Sequence, residues 1–180
     1  HAVERAALLP SQASKLTIAG VTLLVLVLGV RTFLRNTDYY SEERMWLLVL
    51  RQRPENYRAW EEMGRLLFTE GQMTHNEQKI REAMYYSEQS LKIKPNDALA
   101  NLNLGNCWYA LRDIDQAAPY YEAAMRVDMN MPGIANSYGG LLLSQKRYQE
   151  AIRQFRRATG QAPYHPLAYI NLGLAYLGDN

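Results

Sequence analysis

The sequence has one cysteine, Cys107, so no intramolecular disulfide can form and cysteine usage leaves the compartment open. Its three histidines, His1, His75 and His165, are not spaced with Cys, Asp or Glu as a metal site requires, and no metal or cofactor is expected. Valine and isoleucine rarely alternate with polar residues, which leaves strands little support. A net charge of +2 gives no electrostatic case for nucleic acid. No phosphate loop, nucleophile elbow or Gly-x-Gly-x-x-Gly is present. The adjacent acids Glu42–Glu43 and Glu61–Glu62 point about 100° apart on a helix, too divergent for paired acid–base work. No enzymatic activity is expected of this chain.

What is there is a repeat. The stretch ANLNLGNCWYALRD starts at Ala100, ANSYGGLLLSQKRYQEA at Ala135 and AYINLGLAYLGDN at Ala168. Gly105, Gly139 and Gly173 are 34 residues apart, as are Ala83, Ala117 and Ala151, and Pro95, Met129 and Pro163. A copy further upstream holds Trp60 and Gly64, and the step from Gly64 to Gly105 is 41, so that copy carries seven extra residues within Gln72–Glu82. Each unit reads as a helical hairpin. Helix A places a large apolar residue before Leu-Gly or Met-Gly; helix B places an alanine, a ring or small residue four later, and a small residue three beyond. Glycine and alanine let two antiparallel helices approach, and the proline stops helix B.

This pattern resembles the tetratricopeptide (TPR) repeat over Asn56–Asn180. The resemblance implies an all-α, right-handed superhelix of about 3.5 hairpins, with units at 56–96, 97–131, 132–164 and a partial 165–180, and a concave groove that binds proteins or peptides. It places Arg58, Glu61, Glu62 and Arg65, then Asn103, Asn106 and Tyr109, then Asn136, and then Asn171 toward that groove. Asn103 and Asn171 precede Leu-Gly, where some long TPR arrays use asparagine to hold peptide backbone. Glu61 and Leu99 stand where chaperone-type arrays place lysines that clamp a carboxylate, which argues against that function.

Ahead of the array, Leu16–Val30 has no charge, and Leu16–Leu34 has only Arg31. An apolar helix over 16–35, following a segment 1–15, is expected to span a membrane, with a connecting helix in 36–55. Glu4, Arg5, Leu9, Pro10 and Ser11, with the later RTFLRN and RPENYRAW, resemble the last membrane segment of multi-spanning protein O-mannosyltransferase-type proteins with a TPR tail. That resemblance implies an array outside the cytoplasm and carries over no catalytic residue. The expected function is a membrane-anchored scaffold for protein or peptide partners. Two alternatives stand beside it: a subunit self-assembling into a homo-oligomer or filament through its apolar helix and open solenoid ends, and the tail of a glycosyltransferase-like enzyme. Within the insertion, Thr74 to Glu77 reads as a capping box opening a helix near His75.

Overall fold

The computed structural model describes residues 12–38 and 41–179. The segment carrying Glu4–Ser11 lies outside them. Among the described residues every regular element is a helix: α1 Gln12–Asp38, α2 Glu42–Gln52, α3 Tyr57–Met73, α4 Glu77–Ile93, α5 Ala98–Ala110, α6 Ile114–Val127, α7 Pro132–Ser144, α8 Tyr148–Gln161 and α9 Pro166–Asp179. The chain divides into two compact units, His1–Met45 and Trp46–Asn180.

In the first unit α1 is 27 residues long, and Val21, Leu23–Leu28 and Val30 are all about half exposed or more. No helix among the described residues is long and apolar enough to cross a membrane.

In the second unit, helices A (α3, α5, α7) pair with helices B (α4, α6, α8), and α9 is a further helix A. Successive A helices touch one another, α3 on α5, α5 on α7 and α7 on α9, whereas among the described residues the B helices do not meet. The side on which neighbours touch is the inner side of the curve, so the A helices line the concave face. At the N-terminal end Trp46, Leu47, Val49 and Leu50 of α2 pack on the core of α3 and α4.

The repeat glycines sit where helix B crosses. A Cβ on Gly105 would lie 2.7 Å from the Tyr121 ring, and one on Gly139 2.7 Å from the Phe155 ring. A Cβ on Gly64 would lie 2.6 Å from Ser87 Oγ, so the first pair is equally close without a ring. The three A–B turns share one design. The helix ends in a Schellman motif: Asn76, Asp113 and Arg147 donate their amides back to Gly71, Trp108 and Leu142. The residue before each of them is left-handed, with φ of 52° at His75, 67° at Arg112 and 60° at Lys146.

The seven-residue insertion makes no loop. Helix α3 has 17 residues against 13 in α5 and α7, and α4 has 17 against 14 in α6 and α8. The extra four and extra three are one more turn on each arm, and the turn at their tip keeps its three residues. Gly71 makes this possible, since a Cβ there would lie 2.9 Å from Ile80 Cγ1. The capping box at Thr74 does not form. Thr74 closes α3 and its hydroxyl donates to Glu70 O at 2.7 Å, while Asn76 caps α4 by accepting from the amides of Gln78 and Lys79. Asn76 precedes helical φ and ψ directly; Thr74 is two residues too early to reach the first free amides.

Candidate functional site

The side chains expected at the groove divide into three sets along the A helices. In the first, Arg58 is exposed and its Nε donates to Tyr57 Oη at 3.2 Å. Arg65 is paired with Glu62 at 2.7 Å. Glu61 is buried, 7% exposed, against Asp97, which is 3% exposed. Burial, together with the hydrogen bond to Asp97 and its charge, pushes the Glu61 carboxyl up to about 8. Burial would raise Asp97 too. Hydrogen bonds from Glu61, Lys94 and the Ala100 amide outweigh it and hold Asp97 below the usual carboxylate range. Lys94 Nζ lies 2.7 Å from Asp97 Oδ2, and Asp97 Oδ1 also caps α5 through the amides of Leu99 and Ala100.

In the second set Asn103 is 4% exposed and its Nδ2 has no hydrogen-bond partner among the described residues. Asn106 accepts from Tyr121 Oη at 2.9 Å, so its carbonyl is held inside its own hairpin. Tyr109 donates to Gly140 O at 3.4 Å, tying α5 to α7. In the third set Asn171 Nδ2 donates to Asn136 Oδ1 at 3.1 Å, so α9 and α7 share an amide pair.

Sequence reasoning did not single out Asp97 and Lys94, which complete the charged cluster with Glu61. It also passed over a recess of about 130 Å³ between α7, α8 and α9, lined by Gly133, Asn136, Ser137, Ala158, Ala162, His165 and Ala168. Cys107 is fully buried, and burial pushes its thiol up to about 12, which makes it a packing residue. Among the described residues no group of His, Cys, Asp and Glu is arranged to hold a metal ion.

With helix pairs at a 34-residue step, glycines at each crossing and a concave face of A helices, the architecture is that of a helical-hairpin solenoid. The family model for the tetratricopeptide repeat matches residues 78–132, 109–166 and 139–180, and the chain belongs to that family. The chain is 24% identical over 181 residues to human protein O-mannosyl-transferase TMTC3, covering 92% of this chain and 19% of that protein. It therefore spans about a fifth of the length of that relative. Among solved structures it is similar to TTC0263, a thermophilic TPR protein of Thermus thermophilus, with a TM-score of 0.66 and 18% identity over 82% of this chain and 77% of that one. It is also similar to the first TPR of Spaghetti (RPAP3) bound to the HSP90 peptide SRMEEVD, with a TM-score of 0.54 and 14% identity over 65% of this chain and 93% of that one.

Proposed function

We propose that this chain is a non-catalytic scaffold that holds an extended protein segment along the concave face of its A helices. The observation that carries the reading is the Asn103 amide. This donor is closed to solvent as well as unpartnered, which costs about 1–3 kcal/mol, and a ligand carbonyl would relieve it once neighbouring side chains move aside. Asn136 and Asn171 add a second amide pair further along the same face. Peptides selected from a random display library on the full chain test this directly. Asn103→Ala should weaken the selected peptides about tenfold while leaving the melting temperature unchanged or raised. Failure to select any groove-binding peptide, or equal affinity for the variant, refutes it.

We further propose that α1 is the anchor. Its described aliphatic side chains are exposed on all sides, a pattern suited to lipid, and the apolar run in sequence extends over Leu16–Leu34. The human relative's name and the motif at Glu4–Ser11 support a chain that is one part of an O-mannosyltransferase-type membrane protein, with its array outside the cytoplasm and the transfer chemistry elsewhere. Flotation with liposomes should be kept by the full chain and lost by a fragment starting at Asn36.

A further inference from the structure

The 34-residue step makes the three A–B–A junctions of the array directly comparable. In the third junction the recess is lined by Gly133, Asn136, Ser137, Ala158, Ala162, His165 and Ala168. In the second, the same slots hold Leu99, Leu102, Asn103, Ala124, Asp128, Met131 and Ile134. Five of those seven are apolar, and all five belong to one continuous core, with Leu102 at 7%, Ala124 at 0% and Ile134 at 0% exposure. In the first, the slots hold Arg58, Glu61, Glu62, Ser90, Lys94, Asp97 and Ala100. There the space is taken by the Lys94–Asp97 ion pair, the buried Glu61 carboxyl, and Ser90 Oγ donating to Tyr57 O at 3.1 Å.

The same position is thus filled by charge in one junction, by branched aliphatic side chains in the next, and left open in the third. Against the second junction, leucine has become glycine at 133 and asparagine at 136, and isoleucine has become alanine at 168. The core that remains is a cluster of three alanines, Ala135, Ala158 and Ala168. Three smaller side chains remove the volume of several methylenes, and a recess of about 130 Å³ is what they leave. Ala158 and Ala168 of that cluster make part of its lining apolar, and Ser137 lines it beside them. Its mouth carries the exposed His165 and the half-buried Asn136, whose carbonyl is already engaged by Asn171.

We propose that this recess is a specificity pocket for one branched aliphatic side chain, leucine or isoleucine, of an extended peptide lying in the groove. The proposal rests on the groove reading above and names the side chain the groove selects. The template is internal. The second junction shows which groups complete this helix geometry, and the missing ones are leucine and isoleucine. A cationic occupant does not fit, because the lining carries no carboxylate and buried charge without a partner is unfavourable.

The test uses the full chain with ¹³C-labelled alanine methyls. The probe is an acetylated, amidated heptapeptide, Ser-Gly-Ser-Leu-Ser-Gly-Ser, compared with the same peptide carrying central alanine or lysine. The leucine peptide should shift the methyls of Ala158, Ala162 and Ala168 saturably, with an affinity at least about tenfold above the alanine peptide. Ala168→Ile restores the counterpart of Ile134. It should raise the melting temperature and reduce the leucine-to-alanine preference to near one. Equal shifts from all three peptides, or a preference that survives Ala168→Ile, overturns the pocket. Selected peptides that depend on Asn103 yet move none of these methyls overturn the pocket alone, and the groove reading stands. Loss of all peptide binding overturns the groove reading itself.

Discussion

Gly105 and Tyr121 stand so close that a single methyl group on the glycine would lie 2.7 Å from two atoms of the ring. The ring cannot retreat easily. Tyr121 is 1% exposed, and its hydroxyl is held by Asn106. Gly105→Ala should therefore destabilise the array by about 1–3 kcal/mol in urea unfolding. Gly173 occupies the equivalent slot on α9 with nothing within 4 Å. Gly173→Ala should instead stabilise, by up to about 1 kcal/mol, through helix propensity alone. Two glycines at one repeat position with opposite responses would establish that packing, not backbone freedom, sets the first.

The left-handed turn residues offer a second pair of substitutions. A non-glycine residue in this region carries about 1–2 kcal/mol of strain, while glycine loses about 0.5–1 kcal/mol more backbone entropy on folding. Arg112 and Lys146 both have φ near 60° and are exposed. Arg112→Gly and Lys146→Gly should each raise stability by roughly 0.5–1 kcal/mol. Thermal unfolding monitored by circular dichroism checks this, and a lowered melting temperature would contradict it.

Stability should depend on pH through Glu61. The folded chain keeps this carboxyl protonated up to about 8, whereas an unfolded chain releases the proton near 4.5. Between those values the native state binds one proton more, so stability falls as pH rises, by at most about 1.4 kcal/mol per pH unit. Asp97 acts in the opposite sense and lower down, its contribution being lost as pH falls through its depressed value. Glu61→Gln supplies an amide donor to Asp97 at every pH. It should remove the decline between pH 4.5 and 8 and leave the variant more stable at pH 8, as read from denaturant midpoints at each pH.

Cys107 should be silent toward thiol reagents in the native state, since it is fully buried with a raised pKa. Reaction with an aromatic disulfide should follow the rate at which the second hairpin opens. Native-state labelling as fast as that of the unfolded chain would show that α5 is not packed as described.

The array was legible in the sequence because it is written as a spacing. Gly105, Gly139 and Gly173 repeat at 34 whatever surrounds them, and a periodic signal survives substitution at any one place. Local chemistry was harder to read. Thr74 and Glu77 have capping-box spacing, but Asn76 lies between them and reaches two amides, and the pattern gives no means of ranking two caps. Asn103 and Asn106 look alike in sequence, yet one amide is buried without a partner and the other holds a tyrosine. The difference depends on which face of α6 crosses them. The recess at α7–α9 could not be seen at all, because it consists of what three small residues fail to fill.

The lengthened first hairpin carries a lesson about which size changes such an array tolerates. Two antiparallel arms grown together by one turn need about 7.2 residues, and the chain uses seven. Every side chain beyond the graft then returns to its former azimuth, which is why Gly64 still meets Ser87 while Gly105 meets Tyr121. An insertion of two or five within the arms would rotate one helix against the other and turn its core stripe toward water. Length variation along the arms is thereby quantised, admitting steps of about seven, and any other step is confined to the turns.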